Sequence, residues 1–144
     1  MDETLVTGIR TRARQVLERI ETAARRCGRD PDSVRLVVVT KAQPLEIVRA
    51  AAAAGMRILG ENYPEEAVAK IDSMKKEFDV EWHMIGHVQS RKAGLVARNF
   101  TMLHSLDSLK LAQRLDSFCT EVGRTLPVSL LIFSVTSMAG GMMV

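Results

Sequence analysis

The sequence predicts an α/β fold in which helices alternate with the strands of one parallel sheet, as in a (β/α)₈ barrel of the TIM type. Short β-branched apolar runs alternate with amphipathic segments along the chain. Successive runs begin at intervals of about 20 to 27 residues, enough for one crossover helix between neighbouring parallel strands. An open doubly wound sheet has the same local signals, but repeated crossovers without a long return connection favour the barrel.

The length limits how much of a barrel this sequence can form. A complete barrel needs about 250 residues and eight strands. The 144 residues provide about five strands. We therefore expect an incomplete barrel, the amino-terminal half to two-thirds of the fold, as a single domain over residues 1–144.

The first predicted element is an amphipathic helix from about Asp2 to Cys27. Apolar residues recur there at intervals of three, four and seven, which places them on one face of a helix. Gly28 ends the helix, because glycine tolerates the left-handed exit. The opposite face is rich in arginine with glutamates among them, which is typical of a solvated surface.

Five strands are predicted after this helix. The first is a β-branched apolar run too short for a helix, so we expect it to be covered on both faces. In chain order the predicted strands are Val34–Val39, Met56–Gly60, Val80–Ile85, Thr101–His104 and Val128–Phe133.

Helices are predicted between these strands, and two of them have candidate caps. Asn62 is a candidate N-cap, with Glu65 three residues later in the position of a capping box. Ser105 or Asp107 is expected to cap the last helix. The expected buried side of the helix after Asn62 consists of Val68, Ile71, Met74 and Phe78.

Composition excludes several classes of protein. With 47% hydrophobic and 26% charged residues, disorder is disfavoured, and a net charge of +3 is too small to predict nucleic-acid binding. The uncharged run Thr125–Val144 is interrupted by proline and glycine, so no membrane span is expected. Cys27 and Cys119 lie far apart, and the first residues do not resemble a signal peptide, which predicts a cytoplasmic protein.

Polar residues collect where the predicted strands end. Lys41 follows the first strand, Glu61 and Asn62 the second, His87 the third and Ser105 the fourth. Because the carboxyl ends of parallel strands meet at one edge, we expect these residues to share one rim.

Lys41 is the strongest candidate for chemistry. An ammonium at the end of an apolar strand loses hydration, which it can relieve by releasing a proton, and a neutral amine is a nucleophile. The alternative is that Lys41 only reaches water from the strand terminus. Glu61 either balances the charge of Lys41 or is an ordinary solvated acid.

The other candidates each have a structural alternative. His87 either reaches a ligand at the rim or only hydrogen-bonds to the backbone. Asn62 and Ser105 either cap helices or help to present backbone N–H groups to an anion. His83 is expected inside the third strand, where it is simply packed. The spacing of the three histidines does not predict a metal site.

Four sequence blocks at these strand ends are specific in composition and order. They are Val38–Pro44 (VVTKAQP), Gly60–Tyr63 (GENY), Glu81–Lys92 (EWHMIGHVQSRK) and His104–Ser108 (HSLDS). Together they resemble the pyridoxal phosphate homeostasis proteins over about residues 5–131. Their order matches the first half of a barrel related to the amino-terminal domain of alanine racemases.

The resemblance implies that Lys41 holds pyridoxal 5′-phosphate as a lysine aldimine, buried inside the barrel mouth. It implies that Asn62, His87 and Ser105 lie beside the cofactor or its pocket. It further implies a protein without an established turnover reaction, which holds or delivers the cofactor and keeps vitamin B6 and amino-acid pools balanced. Racemisation needs a second acid/base group on the opposite face of the cofactor, which alanine racemases take partly from another domain. No catalytic residue is therefore predicted.

The resemblance ends at about Ile132. The family continues there with an Asn-bearing segment and a loop rich in Gly and Ser, and its last strands hold the phosphate of the cofactor. Residues 132–144 depart from that pattern and are expected to be an atypical tail. A frameshifted or prematurely ended reading is our hypothesis for it. The encoding DNA tests this, since absence of a family-like continuation in the other two frames would refute it.

Five strands cannot close a barrel. We therefore expect the barrel-facing side chains of Val37, Val39 and Ile58, or of their neighbours, to meet water or another chain, with marginal stability and self-association or aggregation as consequences. Two alternatives remain for the function. One is a racemase-like or aldolase-like enzyme with a Schiff-base lysine, completed by a second copy of the chain. The other is a fragment that binds nothing.

Overall fold

A computed structural model describes residues 2–130 and has the predicted α/β architecture, with one parallel sheet of five strands. The order in the sheet is β1-β2-β3-β4-β5, so each strand pairs with its neighbours in the sequence. This order is that of consecutive strands in a barrel. The strands are β1 (Val38–Val39), β2 (Ile58–Glu61), β3 (Glu81–Met84), β4 (Met102–Leu106) and β5 (Val128–Leu130).

Five α-helices connect or precede these strands. They are α1 (Glu3–Arg26), α2 (Leu45–Ala53), α3 (Pro64–Met74), α4 (Ala93–Asn99) and α5 (Leu109–Glu121). Single 3₁₀ turns cover Pro31–Ser33 and Ser90–Lys92. None of the helices within residues 2–130 is both long and apolar enough to cross a lipid bilayer.

The main core lies between one face of the sheet and helices α2 to α5. Leu59, Met84 and Leu103 from three adjacent strands are fully buried against Met74 of α3 and Leu111 of α5. Because side chains alternate along a strand, the residues directly before and after each of these three face the other side of the sheet. A smaller cluster joins α1 to α2.

The first strand is shorter than predicted. Val34–Val39 was expected to form a strand covered on both faces, whereas only Val38 and Val39 pair with β2, and Val39 is 50% exposed. Within residues 2–130, β1 has a single neighbour, so its second edge and one of its faces are not covered. The expectation of exposure is wrong for Ile58, which is 7% exposed and buried.

Both helix caps differ from the prediction. Helix α3 begins at Pro64 after Tyr63, and Asn62 is not its cap. Proline fits the first helical position, since it lacks the N–H that a cap would satisfy, and it keeps the preceding residue extended. Glu65 binds Lys92 at 2.6 Å instead of closing a capping box.

The cap of α5 is neither Ser105 nor Asp107. It is Ser108, whose hydroxyl accepts a hydrogen bond from the Leu111 amide. Three cap-forming residues, Ser105, Asp107 and Ser108, lie close together here, and spacing alone does not choose among them.

The last predicted elements are only partly covered by the structure. β5 is present at Val128–Leu130, and the rest of the predicted strand to Phe133 lies outside the described residues. The expected atypical tail at 132–144 lies outside them as well.

Candidate functional site

Lys41 lies on a tight turn at the carboxyl end of β1. The turn is closed by the Gln43 amide, which donates to the Thr40 carbonyl at 3.1 Å. Ala42 has a φ of +56°, a left-handed conformation that is uncommon outside glycine and asparagine. The Lys41 side chain is exposed. The resemblance led us to expect Lys41 buried in a barrel mouth, and within residues 2–130 that burial is not found, because no strand covers the open side of β1.

A buried ion pair stands next to this turn. Lys70 Nζ of α3 lies 2.7 Å from Glu61 Oε1 at the end of β2, and the Glu61 side chain has no exposed surface. The Thr40 hydroxyl donates to the same Glu61 oxygen at 2.7 Å. Glu61 is therefore neither a partner of Lys41 nor a solvated acid, and both alternatives from the sequence are corrected.

Asn62 and Gly86 bring the loops after β2 and β3 into direct contact. A Cβ atom on Gly86 would lie 2.5 Å from the Asn62 carbonyl oxygen and 2.7 Å from its Cα. Only glycine fits so close to another backbone. The Asn62 side chain is half-buried, and it is not engaged as a helix cap.

Ser105 ties β4 to the same loop. Its side chain is buried, and its hydroxyl donates to the Gly86 carbonyl at 2.5 Å. Asn62, Gly86 and Ser105 therefore connect the ends of three neighbouring strands. The hydroxyl hydrogen of Ser105 is used by the protein, so Ser105 contributes to the rim by fixing the loop.

His87 projects from this loop and is oriented by a carboxylate. Its Nδ1 lies 2.9 Å from Asp107 Oδ2, and its side chain is 69% exposed. A carboxylate on one ring nitrogen fixes the orientation of the ring and leaves the other nitrogen available. The sequence indicated His87 without its partner, since Asp107 was interpreted only as a possible cap.

His83 and His104 form a second histidine pair on the sheet. His104 Nε2 lies 3.0 Å from His83 Nδ1. Burial, together with the charge of His104, lowers the pKa of His83 below 6.5. The expectation that His83 is packed within the third strand is confirmed. Residues 2–130 contain no group of three or more side chains arranged to hold a metal ion.

The structure thus connects the four predicted site residues in two groups. Asn62, His87 and Ser105 meet around Gly86, and Lys41 is linked through Thr40 to the end of β2, where Asn62 follows. The sequence did not indicate Lys70, because the pattern predicted an apolar face for α3. A signal for Lys70 was nevertheless available in the sequence. This lysine lies on the same face of the helix as Ala67 and Met74, and the helix follows a strand that ends in an acid, Glu61.

These residues suit the aldehyde end of pyridoxal phosphate. Lys41 offers an exposed primary amine at the end of β1, and the polar side chains of Asn62 and Ser105 lie at the ends of β2 and β4 of the same sheet. An aldehyde requires such an amine, and an amine already held in an ion pair would be a poor choice.

Comparison with known proteins gives a consistent result. The family described as "Alanine racemase, N-terminal domain" matches residues 12–138. The chain is 37% identical over 114 residues to the pyridoxal phosphate homeostasis protein of Vibrio alginolyticus, covering 77% of this chain and 49% of that protein. It is 46% identical over 101 residues to that of Pseudomonas aeruginosa, covering 70% and 44%. The chain spans about half the length of the curated relatives it matches.

Solved structures agree. PipY of Synechococcus elongatus PCC7942 with PLP bound superposes with a TM-score of 0.70 at 38% identity, covering 81% of this chain and 55% of that one. A protein of unknown function from Bifidobacterium adolescentis gives a TM-score of 0.77 at 30% identity, covering 89% and 56%. The resemblance inferred from the four sequence blocks is confirmed.

Proposed function

Since this chain belongs to the family of the alanine racemase N-terminal domain, we propose that it binds pyridoxal 5′-phosphate through Lys41. The role we propose is the balancing of vitamin B6 and amino-acid pools, without turnover of a substrate. One observation carries the proposal: of the two lysines at the end of β1, Lys70 is held in a buried ion pair whereas Lys41 is exposed on the rim. The names of the relatives, and the PLP bound to PipY, support it.

The roles of the residues follow from their contacts. When bound, pyridoxal phosphate supplies an aldehyde that reacts reversibly with an amine. Lys41 Nζ is the amine. Ser105 and Gly86 fix the loop after β3, so that the half-buried Asn62 keeps its place at the rim. His87, held by Asp107, can carry a proton at Nε2.

Reductive capture tests the proposal. The chain is incubated with pyridoxal phosphate, treated with borohydride and analysed by peptide mass spectrometry. We expect one major adduct at Lys41, lost in Lys41→Ala and kept in Lys110→Ala, which removes an exposed lysine of α5. Adducts spread over many surface lysines would refute binding at Lys41 and favour a fragment that binds nothing.

A second candidate function is a racemase-like enzyme, and the His87–Asp107 pair favours it. Histidine held by a carboxylate at a rim is suited to general acid–base chemistry. The corresponding test is exchange of the Cα hydrogen of an amino acid in deuterated water, followed by NMR. Exchange that requires both Lys41 and His87 would establish the enzyme, and its absence would favour the binding protein.

Two further parts of the proposal concern the state of the chain. We propose a cytoplasmic protein, supported by two cysteines, Cys27 and Cys119, that are not joined in a disulfide. We also propose self-association through the edges of β1 and β5 that no other strand within residues 2–130 pairs with. The single-domain assignment over residues 1–144 remains part of the proposal as well.

A further inference from the structure

We propose that the buried Glu61–Lys70 ion pair is a positioning device for Lys41, acting through Thr40. The inference rests on the proposed function, because it assumes that Lys41 is the amine that meets the cofactor. Glu61 and Lys70 act on the turn that bears Lys41 and are positioning residues.

The burial of this pair calls for a reason beyond stability. The Glu61 side chain is fully buried and that of Lys70 is 11% exposed. Removing two charges from water costs about as much as their attraction returns, and apolar residues of similar size often serve stability equally well. Holding the backbone of Thr40, the residue before Lys41, is a reason of this kind.

The pair holds the last residue before Lys41 through two bonds. Lys70 Nζ donates to the Thr40 carbonyl at 3.1 Å as well as binding Glu61. The Thr40 hydroxyl donates to Glu61 Oε1 at 2.7 Å. The Thr40 carbonyl is therefore held from helix α3 and its hydroxyl from strand β2, and the carboxyl end of β1 has a defined orientation.

The Lys41 turn starts from that same carbonyl. Thr40 O accepts from the Gln43 amide and from Lys70, so one oxygen joins the turn to the ion pair. The turn contains Ala42 at a φ of +56°. A non-glycine residue in this region persists where its surroundings over-determine it, and such residues cluster at ligand sites.

The Glu61 carboxylate depends on Lys70 and Thr40, because only one of its two oxygens, Oε1, has hydrogen-bond partners among the described residues. The other oxygen is Oε2. It is buried and accepts no hydrogen bond from the described residues. Lys70 and Thr40, both acting on Oε1, are the partners that hold this carboxylate. Loss of the pair would remove the bonds it makes to the hydroxyl and the carbonyl of Thr40, and leave the amide bond to the Gly60 carbonyl at 2.9 Å to hold this residue to β2. The Lys41 amine would then sample more orientations, which lowers its rate of reaction with a positioned aldehyde.

The experiment separates positioning from stability by two sets of variants. The double variant Glu61→Met with Lys70→Met replaces the pair by apolar side chains and avoids an unpaired buried charge. Thr40→Val removes only the hydroxyl, and Thr40→Ser restores it. Thr101→Val is the control, since it also removes a hydroxyl that donates a hydrogen bond, here to the Trp82 carbonyl at 3.0 Å, at a strand start away from Lys41.

The readouts are the rate of reductive capture of pyridoxal phosphate at Lys41 relative to Lys110, and hydrogen exchange of the Gln43 amide. We expect Thr40→Val and the double variant to lower the capture ratio roughly tenfold and to speed the exchange. Thr40→Ser should restore both, and Thr101→Val should change neither. An unchanged ratio and exchange rate in Thr40→Val and in any folded double variant would overturn the inference.

Failure of the proposed function gives a different result. If the unaltered chain captures no pyridoxal phosphate at Lys41, the proposed function fails. Exchange of the Gln43 amide then still decides whether the ion pair orders the turn, because that measurement needs no cofactor. Equal exchange in all variants would overturn the positioning role independently.

Discussion

Gly86 is a single residue on which the arrangement of the rim depends. A Cβ atom there would meet the backbone of Asn62 at 2.5 Å, and backbone cannot move aside cheaply. We expect Gly86→Ala to lower the free energy of unfolding by about 1–3 kcal/mol, as overpacking does. Gly94→Ala is the matched control, since its new methyl would meet the Phe118 ring at 3.2 Å, and a side chain can adjust. Urea unfolding measures both, and equal losses would contradict the backbone contact.

His83 gives a prediction about pH. Burial and the charge of His104 lower its pKa below 6.5, so the unfolded chain takes up a proton at this residue before the folded chain does. The resulting stability is present above that value and is lost as the pH falls through it. We expect the free energy of unfolding to decrease as the pH falls below the ordinary pKa of histidine, about 6.5. His83→Gln should make the decrease shallower. Parallel curves for the unaltered chain and His83→Gln would refute this origin.

Residues differ in how far sequence alone identifies them. Lys41 could be proposed as a site residue because its position at a strand end and its sequence block both point to it. Glu61 and Lys70 could not be paired, because their contact depends on how α3 packs on β2. Asn62 was misassigned as a cap since Pro64 makes a side-chain cap unnecessary.

At the scale of elements, the cap of α5 is a testable feature. The Ser108 hydroxyl accepts from the Leu111 amide, which satisfies one of the unpaired N–H groups of the first turn. We expect Ser108→Ala to lower the free energy of unfolding by about 1 kcal/mol. Ser117→Ala, an exposed position within the same helix, should have no such cost. A thermal melt in which both variants match the unaltered chain would contradict the assignment of the cap.

Element order and type follow from the sequence better than element length. The spacing of apolar runs predicted five parallel strands in chain order, because each crossover needs a helix. It could not predict that β1 has only two paired residues, since the length of a strand depends on its neighbours in the sheet.

At the scale of the whole molecule, uncovered sheet edges predict association. Val39 of β1 is 50% exposed and Leu130 of β5 is 65% exposed, and among residues 2–130 each of these strands pairs on one side only. Exposed apolar strand edges are sites for pairing with another chain. We expect the average mass in sedimentation to rise with concentration, and Val39→Lys with Leu130→Lys to reduce that rise.

A matched change elsewhere controls for general solubility. Leu109 is 75% exposed at the start of α5, away from the sheet edges. Leu109→Lys should leave the concentration dependence unchanged. A chain that stays monomeric at every concentration and melts sharply would instead show that the edges of β1 and β5 do not mediate association.

The consecutive strand order has a consequence for how this chain can be made. Each strand docks on the one that preceded it in synthesis, with the intervening helix already available. None of the five strands within residues 2–130 has to wait for a partner distant in the sequence, so the loop-closure cost of each addition is small. The sheet can therefore form on the ribosome by adding one strand with its preceding helix at a time. This growth starts from the pairing of β1 with β2 and is compatible with every strand pairing in the described residues.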